Sequence, residues 1–246
     1  MGSYRGLISS DWSECLSPSG PFDFMAYVYP QLESDLATIF KQYTGNQISL
    51  RVAMWRCQRS LPAPITQEQM DAYLDASFKH YTGVPELIES CLSKNILFMI
   101  NTTGSRGYFE RVIAKKLLPC PTALSAHPEI NFGNDRYSYA DYALQEITDK
   151  PVNTEKVAKH FQIAPQNIMV VGDSGGDGPH FKWAAEQKAY RLASMAKPSL
   201  KAYCQSEQIE INRFFGLSYA DGEARREADE MQVDFRDLLP LIFEYL

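Results

Sequence analysis

Three aspartates stand directly after short apolar stretches that read as strands. Asp11 follows YRGLISS (4–10), and Asp173, with Asp177 four residues on, follows NIMVV (167–171). A third apolar stretch, ILFMI (96–100), runs into Asn101, Thr102 and Thr103. Oxygen-only donors of this kind suit Mg²⁺, which usually keeps some waters and takes a phosphate oxygen as a further ligand. Gly172, Gly175, Gly176 and Gly178 allow a tight turn that aims Asp173 and Asp177 at one point. Ser174 adds a hydroxyl between them, and Lys150 a positive charge suited to phosphate. The four histidines (80, 127, 160, 180) have no metal-ligand spacing. Five cysteines (15, 57, 91, 120, 204) are odd in number and widely spread. That argues against a disulfide framework or a cysteine-based zinc site, and for a reducing, cytoplasmic setting.

These residues converge only if the strands that precede them lie side by side. The runs 96–100 and 167–171 are continuously apolar, the mark of strands covered on both faces. Further strands are expected at 4–10, TALSA (122–126) and YRLASM (190–195). Helical spacing is expected at 107–117, 153–161 and 223–244, and at 84–92, where Pro85 suits a first turn and Asn95 a left-handed end. Strands alternating with helices predict an α/β fold with a doubly wound parallel sheet, whose ligands bind beyond the carboxyl ends of the strands. Residues 22–80 interrupt that alternation. Phe24, Tyr27, Val28 and Leu32, then Leu36, Ile39, Phe40 and Tyr43, recur near helical spacing. Gly45-Asn46 and the prolines at 62 and 64 mark breaks, and Thr66 is placed to cap a helix over 67–80. The expected organisation is a core of residues 1–20 and 86–246 with a helical cap at 21–85.

The chain has 246 residues, a net charge of −6, 45% hydrophobic and 22% charged residues. It is long enough to bury a sizeable core and too apolar to be disordered. The acidic excess, with no long Lys/Arg cluster, argues against nucleic acid as a partner. No run approaches the ~18 apolar residues of a membrane span. The first residues, MGSYRGLISSDWSEC, show no secretory pattern. Oligomeric state is left open.

In order along the chain, DWSEC (11–15), GVPELIESCLSKNILFMINTTG (83–104), DKP (149–151) and VVGDSGGD (170–177) resemble the four motifs of the haloacid dehalogenase (HAD) superfamily of aspartyl-nucleophile phosphohydrolases. The resemblance implies a Mg²⁺-dependent hydrolase for a small phosphorylated metabolite, with a helical cap of the family's first class. It implies Asp11 as nucleophile and Asp11, Asp173 and the Ser13 carbonyl as metal ligands, with Asp177 in or next to that set. Thr102 and Lys150, with Thr103 and Ser174 beside them, are the implied phosphate contacts.

The sequence departs from the family where its acid/base aspartate belongs: that position is Ser13, followed by Glu14 and Cys15 in place of the usual glycine and threonine. Three readings follow. In the first, the enzyme needs good leaving groups or keeps a long-lived aspartyl-phosphate. In the second, it resembles the phosphonatase branch, which has an Asp-Trp nucleophile motif and a cap lysine, for which Lys41 and Lys79 are available. Or it binds a phosphate ligand with little turnover. Trp12 reads as a packing residue, Cys15 as a buried small hydrophobe, and His180 as a surface or helix-capping residue.

Overall fold

The structure is a computed structural model that describes residues 4–44, 47–133 and 138–246; the expected break at Gly45-Asn46 lies outside them. Strand β1 (Gly6–Ser10) is buried throughout. Four helices follow it: α1 (Asp23–Val28), α2 (Glu33–Thr44), α3 (Leu50–Ser60) and α4 (Gln67–Ser77). Helix α5 (Val84–Ser93) leads into β2 (Ile96–Ser105), then α6 (Arg106–Ala114), β3 (Ala123–His127) and β4 (Ala140–Ala143). The second half runs α7 (Asp149–His160), β5 (Ile168–Gly172), α8 (Gly178–Glu186), β6 (Tyr190–Ala196), α9 (Pro198–Ser206) and β7 (Arg213–Ser218). The short helices α10 (Glu227–Glu230) and α11 (Leu239–Tyr245) end the chain.

Among the described residues, seven strands form one sheet in the order β4-β3-β2-β1-β5-β6-β7, every neighbouring pair parallel. From β1 the chain builds outward through β2, β3 and β4, then returns to the other side of β1 with β5. The order therefore reverses between β1 and β5, and a crevice opens beyond their carboxyl ends. Asp11 and Asp173 are the first residues past those two ends.

Alternation sorts the strand side chains onto two faces. Ile8, Phe98, Ile100, Met169 and Val171 join one core with α5, α6 and the helices between β1 and α5. Leu7, Leu97, Met99, Ile168 and Val170 join another with α7, α8 and α9. Both faces are covered, which is why these strands read as unbroken apolar runs. Local chemistry sets the helix ends. Thr66 and Gln69 form a reciprocal capping box at the start of α4. Gly83, at φ 79°, turns the chain into α5, and Asn95 is left-handed at φ 57° after it. Helix α5 starts two residues before the expected core boundary at 86.

Several elements differ from expectation. Strand β2 runs on to Ser105 and buries Asn101 within it: the Asn101 Nδ2 donates to Ser9 Oγ, the Lys150 carbonyl and Thr154 Oγ1, while its Oδ1 has no partner. Helix α7 begins at 149 rather than 153, which puts Lys150 on its first turn. Strands β4 and β7 and helix α9 were not expected; the two strands are half-exposed sheet edges without a continuous apolar run. Residues 223–244 do not form one helix. Phe235 N donates to the Thr82 carbonyl and Asp234 accepts from Arg236 N, so tertiary bonding replaces helical bonding there.

Gly172 packs its backbone against the Asp177 side chain: a Cβ on it would lie 2.5 Å from Asp177 Cγ. Gly172→Ala should therefore cost about 1–3 kcal/mol through overpacking, seen as a lowered midpoint in thermal melts.

Candidate active site

Beyond β1 and β5 lies a cavity of about 610 Å³. Its walls come from the turn after β1, the last turns of α2, the end of β2, the start of α7, the loops after β5 and β6, and residues 219–225. Of the expected site residues, Asp11, Ser13, Thr103, Lys150, Asp173 and Ser174 line it. Asp177 lies just behind the wall, fully buried. Thr102 is also fully buried, and its Oγ1 accepts from Gly104 N at 3.1 Å, so Thr103 is the β2 hydroxyl on the cavity wall.

Lys150 is wedged between two acids. Its Nζ lies 3.0 Å from Asp11 Oδ2 and 2.6 Å from Asp177 Oδ1. Burial works against its charge, but the two carboxylates overcome it and raise the pKa above the usual lysine value. Burial likewise raises Asp11, opposed by Lys150 and by Trp12 N, which donates to Asp11 Oδ1 at 2.7 Å. Asp177 resists protonation: burial is outweighed by Lys150 and by backbone donation to Oδ2 from Asp173 N and Ser174 N, and its pKa is lowered. Both Asp177 oxygens are thus engaged in shaping the turn and holding Lys150.

Asp173 is the exception. It is 1% exposed, its Oδ2 pairs with Lys197 Nζ at 2.7 Å, and its Oδ1 has no hydrogen-bond partner. Burial pushes its pKa up to about 8 despite Lys197. A buried carboxylate oxygen without a partner is costly unless a cation covers it. Asp11, Asp173 and Asp177 each offer an oxygen, all within 4.8 Å of one another. The donor set and the orphaned oxygen fit a hard divalent cation such as Mg²⁺.

A second charge cluster, unanticipated from sequence, adjoins the first. Glu14, left-handed at φ 57°, pairs with both Lys197 and Arg225. Arg225 also donates to the Pro18 carbonyl and to Glu230, a buried carboxylate that accepts from Tyr81 and Tyr219. Lys197 had a legible signal, since it directly follows β6 as Asp11 follows β1. Arg225 had none, because apart from Glu230 its partners Glu14, Pro18 and Tyr81 are far away in sequence.

Trp12 is a packing residue as expected, stacked on Phe78 and edge-on to Phe109. Cys15 is fully buried, and burial raises its thiol pKa well above the usual value. His180 is neither at the surface nor a cap. It is 1% exposed beneath the site, with Nε2 2.9 Å from Thr154 Oγ1, because the first turn of α8 packs inward against α7.

Several solved structures share this architecture. A phosphoserine phosphatase solved as a phospho-aspartyl intermediate analogue aligns with a TM-score of 0.69 at 18% identity, covering 98% of this chain and 100% of that one. A substrate-bound phosphoserine phosphatase complex gives 0.70 at 17%, with 98% and 100% coverage. A HAD family hydrolase from Salmonella enterica serovar Typhi gives 0.69 at 18%, over 99% of this chain and 73% of that one. This is the HAD fold. No protein-family model matches the sequence, and no curated protein matches it. Among the described residues, no helix is long and apolar enough to cross a membrane.

Burial, then Lys150, push the His180 pKa from 6.5 to about 3. Between those values the unfolded chain binds a proton that the folded chain does not, so this group's contribution to stability is full above pH 6.5 and is lost on acidification toward about pH 3. His180→Gln should flatten that acid limb, measured by urea unfolding across the interval.

Proposed function

We propose that the protein is a Mg²⁺-dependent phosphohydrolase of the HAD type, acting in the cytoplasm on a small phosphorylated metabolite through an aspartyl-phosphate at Asp11. Residues 21–85 are read as the cap over a core of 1–20 and 86–246. The observation that carries the reading is the buried group Asp11, Asp173 and Asp177, with Lys150 between two of them and one Asp173 oxygen left uncovered. The aligned phosphoserine phosphatases, one a phospho-aspartyl intermediate analogue and one a substrate complex, support the same chemistry here.

In this reading, Asp11 and Asp173 hold the metal with the Ser13 carbonyl, and Asp177 fixes the turn and Lys150. Bound Mg²⁺ would offset the repulsion between a carboxylate and a phosphate dianion. Asp11 Oδ1, bonded by the Trp12 amide, and Oδ2, paired with Lys150, hold the carboxylate in one orientation before attack on phosphorus. Attack forms the Asp11–phosphorus bond and breaks the ester bond; water then cleaves the acyl phosphate and frees Asp11. Lys150 and Thr103, rather than the buried Thr102, would bind the non-reacting oxygens, with the Ser174 hydroxyl as a further contact.

One observation favours phosphonate cleavage as a second reading: Lys41 lines the cavity, whereas Lys79 lies outside it and pairs with Glu227. Borohydride trapping with an aldehyde-bearing phosphonate would label Lys41 on that route; an unlabelled protein rules it out.

Asp11→Asn should lower turnover on a phosphate-ester panel with Mg²⁺ by more than about a thousandfold. Turnover equal to the wild type would remove Asp11 as nucleophile. Mg²⁺ should also raise the melting temperature of the wild type, and raise it less in Asp173→Asn.

A further inference from the structure

The HAD-type reading leaves one chemical task unassigned, because Ser13 has no acid to offer a departing alkoxide. The other candidates are committed elsewhere. Glu14 is clamped by Lys197 and Arg225, and Cys15 and His180 are buried behind the wall. Asp221 and Glu223 stand exposed at the rim.

Tyr43, on the last turn of α2, differs from all of these. It lines the cavity together with Asp11, Thr103 and Lys150. Its hydroxyl lies 3.7 Å from the position of a Cβ on Gly176, in the turn that carries Asp173 and Asp177. Helix α2 thus brings a phenol to the wall of the cavity that holds the candidate nucleophile.

We propose that the Tyr43 hydroxyl is the proton donor to the leaving-group oxygen, in place of the acid absent at Ser13. This rests on Asp11 being the nucleophile. As the Asp11 Oδ–P bond forms and the ester P–O bond breaks, the departing oxygen takes the Tyr43 proton. Water then gives a proton back to the Tyr43 oxygen as it attacks phosphorus and the Asp11 Oδ–P bond breaks. The sum is ester plus water to alcohol plus phosphate. Burial raises the phenol pKa above its usual value, so the resting hydroxyl is protonated, and the Lys150 charge offsets part of that rise.

The test compares p-nitrophenyl phosphate, whose leaving group needs little protonation, with benzyl phosphate, which keeps an aromatic ring but releases a strongly basic alkoxide. Wild type, Tyr43→Phe, and Tyr43→Phe with Ser13→Asp are assayed with Mg²⁺. In Tyr43→Phe the kcat/KM ratio, nitrophenyl over benzyl, should rise by about tenfold or more, and Ser13→Asp should bring it back toward the wild-type value. Replacing Tyr43 with 3-fluorotyrosine, more acidic and nearly isosteric, should lower the ratio. A structural role would reduce both substrates equally, and an unchanged ratio in both Tyr43 replacements overturns the proposal. Asp11→Asn assayed alongside separates the two failures: retained turnover there, or a wild type inactive on both esters, overturns the aspartyl-phosphate reading and the Tyr43 role with it.

Discussion

Charge neutralisation within a few ångströms of the β1 and β5 ends is the constraint on which the rest of the structure depends. Asp11, Asp173 and Asp177 are almost wholly removed from solvent, and none of them would stay ionised without cations at contact distance. Lys150 reaches two of them from the first turn of α7, and Lys197 reaches the third from the loop after β6. Each lysine lies on an element that packs on the sheet, so the strand order that places the acids also places their counter-ions. The charges are not balanced evenly. Asp173 keeps one oxygen bare, and that residual demand is what makes the site fit a metal.

The polar groups beneath the site serve the same constraint. Ser9, Asn101, Thr154 and His180 form a hydrogen-bonded set inside an otherwise apolar layer, tying β1, β2, α7 and α8 together below Lys150. Asn101 Oδ1 and His180 Nδ1 are left without partners in it, yet its bonds from Asn101 to Thr154 and to the Lys150 carbonyl tie α7, and hence Lys150, to β2. The His180 ring stays neutral in that setting, which avoids a second positive charge beside the lysine.

The fold was legible where one physical cause dominates. Continuous apolar runs gave β2 and β5, and the residues just past them gave Asp173 and Asp177. Asp11 was readable because it follows a strand and heads a family-like motif. Legibility failed where partners are distant or exposure is mixed. Strands β4 and β7, at the sheet edges, carry no unbroken apolar signal, and the segment 223–244 keeps a helical composition although tertiary hydrogen bonds divide it. The choice between Thr102 and Thr103 depends on which side of an irregular strand end faces the crevice, and composition does not report that. Tyr43 looked like one more core aromatic, since its spacing on α2 matches Leu36, Ile39 and Phe40.

The bond between Glu14 and Arg225 joins residues 211 positions apart. Glu14 sits three residues past Asp11, so the loop that carries the candidate nucleophile is held by a residue far downstream. Closing a contact between residues so distant in sequence carries a large loop-closure entropy, which the local turn after β1 does not repay by itself. The placement of Asp11 is therefore coupled to the packing of the segment that carries Arg225: loosening that segment releases the loop after β1 as well.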